Sequence, residues 1–131
     1  MLKVVIIDGN AISRNLLTSV LTNGGYEVIG DCNTSPSGIA GMVKLQPQII
    51  CVDTGDAENS GMDMLDSLRG MFPKSLFFMV AAKMDSDRVK GALDRGVHGF
   101  IVKPFNAVTV LMTIRNAVIK LARQQNAKPA E

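Results

Sequence analysis

At 131 residues the chain is long enough for one domain that buries most of its apolar surface without disulfides or metals, and short for two. Hydrophobic residues at 47% and charged residues at 20% exclude a disordered chain, except at the C-terminal end. The net charge of +2, from 14 basic and 12 acidic residues scattered along the sequence, is too weak a balance to imply nucleic acid.

The first apolar run, Val4 to Ile7, stops at Asp8, so it reads as neither a signal peptide nor an anchor. No run approaches a membrane span, and the expected protein is soluble and cytoplasmic. Cys32 and Cys51 each fall in a predicted strand and read as buried free thiols.

Lys3 to Asp8 is the first predicted strand, apolar on both faces as central parallel strands are. A helix follows from Ala11 to Asn23, with Ile12, Leu16, Leu17, Val20 and Leu21 at helical spacing and Gly24-Gly25 as its stop. Tyr26 to Cys32 reads as a shorter, more exposed edge strand. Ser35 caps a second helix with Pro36 at its first position, and Ile39, Met42 and Val43 face the sheet until Pro47 interrupts.

Ile49 to Asp53 is a buried strand delivering a carboxylate to an edge, followed by a polar loop, Thr54 to Gly61. The third helix turns Met62, Leu65, Leu68 and Met71 inward and is ended by Gly70 and Pro73. Leu76 to Ala82 is the fourth strand. Asp85-Ser86-Asp87 caps a fourth helix with Val89, Ala92 and Leu93 as its buried face, stopped by Gly96 after Arg95. Gly99 to Lys103 is the fifth strand, and Asn106 caps a last helix running to about Arg123. Five strands alternating with five helices imply right-handed crossovers and a doubly wound α/β domain, a three-layer sandwich with helices on both faces, over residues 1–123, with a frayed tail at 124–131.

Three strands end in ionisable residues: the first at Asp8, the third at Asp53, the fifth at Lys103. In an open parallel sheet, ligands bind outside the carboxyl ends of the strands. Asp8 alone is also explained as a cap of the turn into the first helix, and Lys103 as an ordinary ion-pair partner of Asp53. The three together point to a phosphate and metal type of site.

The order Asp8, Asp53, Lys103-Pro104-Phe105 in a five-fold βα chain resembles a bacterial two-component response-regulator receiver, over Lys3 to about Arg123. The resemblance implies a flavodoxin-like five-stranded sheet of order 2-1-3-4-5. It implies that Asp53 accepts a phosphoryl group, that Lys103 contacts the phosphoryl oxygens, and that Asp8, Asp53 and the backbone carbonyl of Gly55 hold Mg2+. The implied partners are a sensor histidine kinase or phosphotransfer protein, and a downstream protein reached through the fourth helix, fifth strand and fifth helix, where Arg88, Lys90, Arg95 and Arg115 fall.

Three positions depart from the pattern. Gly9 stands where receivers usually carry a second acid, so Mg2+ affinity should fall. Ala81, with Ala82, stands where a Ser or Thr senses the phosphate and relays to the aromatic residue matched by Phe100. The phosphorylated state so loses a contact of about 1.5–3 kcal/mol, and Phe100 is expected to sit inward without phosphate; the plainer reading is a strand residue packing on the last helix. Asp56-Ala57 replaces a stiffer loop pair and should loosen that loop.

The expected function is therefore a stand-alone receiver in a phosphorelay, signalling by protein contact and not itself an enzyme of turnover. The alternative is a pseudo-receiver that binds partners without phosphorylation. A flavin or nucleotide protein on the same sheet is disfavoured, since Gly9-Asn10-Ala11-Ile12 offers no glycine-rich cradle.

Overall fold

The computed structural model describes residues 1–55 and 58–126, apart from the side chains of residues 58–60 and 126. Five strands, β1 (Lys3–Ile7), β2 (Glu27–Cys32), β3 (Ile49–Val52), β4 (Leu76–Ala81) and β5 (Gly99–Val102), pair in parallel in the order β2-β1-β3-β4-β5. The helices between and after them are α1 (Ala11–Asn23), α2 (Pro36–Met42), α3 (Glu58–Met71), α4 (Ser86–Asp94) and α5 (Ala107–Asn126). The expected fold class and strand order are those observed.

Alternation along each strand divides the core into two layers. Val5, Ile7, Ile50, Val52, Phe77 and Met79 face α2, α3 and α4, where Ile39, Leu65, Leu68, Phe72 and Ala92 meet them. Val4, Ile6, Ile49, Cys51, Phe78, Val80 and Ile101 face α1 and α5, whose Leu17, Leu21, Val110 and Ile114 close the other layer. Burying each large apolar side chain contributes roughly 1.5–3 kcal/mol. Both cysteines are free and buried, and burial pushes the Cys51 thiol up to about 12.

The helix starts follow their caps. Asn10 accepts the Ser13 N–H at 3.0 Å, Ser35 the Gly38 N–H at 3.1 Å, Asp85 the Arg88 N–H at 2.7 Å and Asn106 the Thr109 N–H at 3.0 Å. Asn10 therefore caps α1, two residues beyond Asp8.

Several sequence expectations are corrected. A helix lying on a sheet buries one stripe, and successive residues are 100° apart around it. Leu17 and Leu21 fill that stripe on α1, leaving Ile12 73% and Leu16 56% exposed. Phe72 takes the place expected for Met71 beside Leu65 and Leu68, and Leu93 lies outside the stripe that Ala92 occupies. Helix α3 begins at Glu58, inside the expected loop, and Gly61 falls within it as a place of close packing rather than the end of the loop: a Cβ there would lie 2.8 Å from the Thr54 Oγ1. Helix α5 continues to Asn126, since no breaker precedes Pro129. No described helix is long and apolar enough to cross a membrane.

Candidate functional site

The order of the sheet puts β1 beside β3 and β3 beside β4, with Ile7 opposite Val52 and Val52 opposite Met79. The residues just past these ends meet. Asp53 N–H donates to the Ile7 carbonyl at 2.8 Å and Lys103 N–H to the Ala81 carbonyl at 3.0 Å, extending the ladders by one rung on each side. A cavity of about 330 Å³ opens over this edge, lined by Asp8, Gly9, Asn10, Thr34, Asp53, Thr54, Gly55, Ala81, Ala82 and Lys103.

The three ionisable strand ends converge in it. Lys103 Nζ lies 2.6 Å from Asp53 Oδ2 and 3.0 Å from Asp8 Oδ2. The remaining oxygens are held by backbone: Asp8 Oδ1 accepts the Asn10 N–H and Asp53 Oδ1 the Gly55 N–H, both at 2.8 Å. Gly55 has φ +80°, a left-handed turn that closes this last contact and that a side chain would strain. Both simple roles weighed for Asp8 and Lys103, turn cap and ion pair, are thus present within one cluster.

Asp8 is 4% exposed, so its charge is partnered rather than solvated. Burial pushes the Lys103 pKa down, but the hydrogen bonds and charges of Asp53 and Asp8 outweigh it and hold the ammonium above the ordinary lysine range. Two acids and one amine leave a local charge near −1, suited to a cation before an anion.

Arg14, on α1, braces the corner from behind. It donates through Nη1 to the Asp8 carbonyl at 2.7 Å, and its Nε stands 3.6 Å from Asp31 at the end of β2. Sequence reasoning missed Arg14 and also Asn10, Thr34 and Thr54 of the lining. The one signal that could have found Thr34 was its place two residues past the carboxyl end of β2, once the sheet order is known.

The departures have physical form. Gly9 has no positive φ, and a Cβ there would meet only Thr34 Oγ1 at 3.8 Å, so the place of a second acid is open rather than blocked. Ala81 lines the cavity and brings no hydroxyl. Phe100 is half-buried and packs against the core layer shared with α3 and α4. Asp56 and Ala57 lie outside the described residues. On the expected partner face, Arg95 is engaged elsewhere, 3.2 Å from Asp66 and donating to the Gly91 carbonyl at 3.0 Å.

Mg2+ takes hard oxygen ligands and is commonly bound through one or two carboxylates with water and phosphate. The adjacent Asp8 and Asp53 carboxylates fit that preference, and Gly55 lines the same cavity. The set is one acid short: among the described residues no three His, Cys, Asp or Glu side chains stand together as a metal site.

Residues 4–115 match the family described as the response regulator receiver domain. The chain is 28% identical over 109 residues to the chemotaxis protein CheY of Thermotoga maritima, covering 83% of this chain and 91% of that one. It is 31% identical over 115 residues to the transcriptional regulatory protein KdpE of Mycobacterium tuberculosis, covering 88% of this chain and 50% of KdpE. In structure it is similar to the chemotaxis protein CheY4 of Vibrio cholerae, with TM-score 0.76, 23% identity and 89% and 98% of the two chains covered. A response regulator from Thermotoga maritima superposes with TM-score 0.78 at 20% identity, covering 90% and 98%.

Proposed function

The chain belongs to the response regulator receiver domain family, and from that premise we propose that it works as a phosphoryl-accepting signalling module with Asp53 as its acceptor. The observation that carries the reading is the bridge of Lys103 Nζ to both Asp53 and Asp8 at 2.6 and 3.0 Å. A carboxylate becomes a useful nucleophile towards phosphorus where fixed positive charge meets the incoming phosphoryl oxygens.

In the step proposed, an Asp53 carboxylate oxygen forms an O–P bond while the P–N bond of a phosphohistidine, or the P–O bond of acetyl phosphate, breaks. The electron pair leaves with the imidazole or the acetate. Lys103 exchanges its contact with Asp53 Oδ2 for a phosphoryl oxygen and stays anchored on Asp8. The Gly55 N–H keeps the acceptor carboxylate oriented. A bound Mg2+ would supply charge neutralisation for the phosphoryl group, held by Asp8, Asp53 and the Gly55 carbonyl.

The phosphodonor partner in this reading is a histidine kinase or phosphotransfer protein. Output runs by protein contact through α4, β5 and α5, and the exposed Val102, Val108 and Met112 on β5 and α5 support an apolar component to that contact. Arg88, Lys90 and Arg115 would add charge to it.

The open place at Gly9 and the absence of a hydroxyl at Ala81 favour one second reading, a pseudo-receiver that binds its partner without phosphorylation. Intact mass after acetyl phosphate and Mg2+, with Asp53→Asn in parallel, decides between them. A single phosphoryl adduct on the wild type, missing from the variant, is the expected result. No adduct from acetyl phosphate or from a phosphohistidine donor would leave the pseudo-receiver.

A further inference from the structure

The vacancy at position 9 has a neighbour. The nearest group across it is the Thr34 hydroxyl, 3.8 Å from where a Cβ would stand, and Thr34 lines the same cavity as Asp8, Asp53 and Lys103. The loop that carries Thr34 is fixed on both sides. Before it, Asp8 N–H donates to the Cys32 carbonyl at 3.0 Å. After it, Asn33 Oδ1 accepts from the Ser35 N–H at 3.0 Å and the Ser35 hydroxyl at 2.6 Å.

The backbone at Gly9 does not require glycine, and the space beside it would take a side chain. An acid there would therefore meet no steric bar, and beyond position 9's two chain neighbours the oxygen found beside that space is the Thr34 hydroxyl. A threonine hydroxyl is a hard oxygen with two lone pairs, the ligand type that Mg2+ and Mn2+ accept.

We infer that Thr34 supplies the oxygen that position 9 lacks, so that a divalent cation here is held by the carboxylates of Asp8 and Asp53 and by the Thr34 hydroxyl. The inference rests on the receiver reading of the site. It exchanges a negative ligand for a neutral one, so the site holds its cation more weakly than a three-acid cluster. In return it presents less negative charge to an arriving phosphoryl group.

The test is calorimetric titration of the full chain with Mg2+ and with Mn2+, in the absence of phosphodonor, for the wild type, Thr34→Val, Thr34→Ser and Thr34→Asp. Thermal melting of each variant controls for folding. Even the groups that only support a metal's ligands typically cost about 10–100-fold in affinity when removed, and a neutral hydroxyl belongs at the low end of that range. Thr34→Val is expected to bind about tenfold more weakly, Thr34→Ser like the wild type and Thr34→Asp more tightly. Equal affinity of the wild type and a folded Thr34→Val, or no cation binding by the wild type, overturns the inference. Either result is separable from the receiver reading, because the phosphoryl adduct on Asp53 is scored independently by mass.

Discussion

Strand β5 carries an ionisable residue just beyond each end, and the fold treats the two in opposite ways. At the carboxyl end, two acids hold Lys103 charged. At the amino end, His98 is kept neutral: its ring Nδ1 accepts the Phe77 backbone N–H at 3.2 Å while the His98 backbone N–H donates to the Phe77 carbonyl at 2.7 Å. Burial, and then the Arg69 charge, push its pKa below the usual 6.5. One end of the strand is electrically loaded and lines a cavity; the other uses a side chain as a rung of the ladder. A titratable residue beside a cavity is thus not enough to mark a site, and the partners that fix its charge decide the matter.

The largest effect should come from discharging the loaded end. Lys103→Met removes the cation facing the phosphoryl oxygens, and loss of one such preorganised group typically costs about 10²–10³-fold in rate. Adduct formation on Asp53, followed by mass, should fall by that amount. The wild-type ion pairs also carry a pH signature. A raised pKa means that their stabilisation is complete below 10.5 and is lost as pH rises through the higher folded value. Alkaline melts should show this loss in the wild type and not in Lys103→Met.

Next in size is Ala81→Thr, which returns a hydroxyl to the wall of the cavity. A hydrogen bond to a charged group contributes about 1.5–3 kcal/mol, so a phosphoryl mimic such as beryllofluoride should bind at least about tenfold more tightly. Amide shifts on binding should stay near Asp53 and Lys103 in the wild type and extend to Phe100 and α4 in the variant. Shifts that already reach α4 in the wild type would show that Phe100 couples to the site without the hydroxyl.

Gly9→Asp is expected to tighten Mg2+ by about tenfold, because the added carboxylate enters open space. With the third acid in place Thr34→Val should lose most of its effect, the non-additivity of two groups serving one ion.

The fold was legible because its signals are redundant: uninterrupted apolar strands, caps at Ser35, Asp85 and Asn106, and short connections all favour one topology. Asp8, Asp53 and Lys103 were legible because each breaks an apolar run at a strand end. Thr34 was not, since a threonine in a polar loop has no contrast with its neighbours, and only the sheet order brings β2's end beside β1's. Periodicity also overcounted the buried faces. Ile12 and Leu16 keep helical spacing with each other, yet Leu16 stands 100° from Leu17 and Ile12 further round still, off the stripe that the sheet covers.

The smallest predicted effect sits at the other end of β5. Since the folded pKa of His98 is depressed, its contribution to stability is complete above 6.5 and is lost as pH falls through the lower folded value, where the protonated ring can no longer accept from Phe77. The charged groups around it do not relieve that proton. Arg69 on α3 stacks over the Phe77 ring at 5.2 Å, and Lys120 on α5 lines the groove beside His98 with Leu93 and Val97. His98→Gln retains an acceptor that does not titrate. Its melting temperature should fall about 2–4 °C less than that of the wild type on acidification below 6.5, with Asp53 adduct formation above that pH unchanged. Parallel acid melts of the two proteins would show that His98 does not set the acid loss, and the asymmetry between the ends of β5 would rest on Lys103 alone.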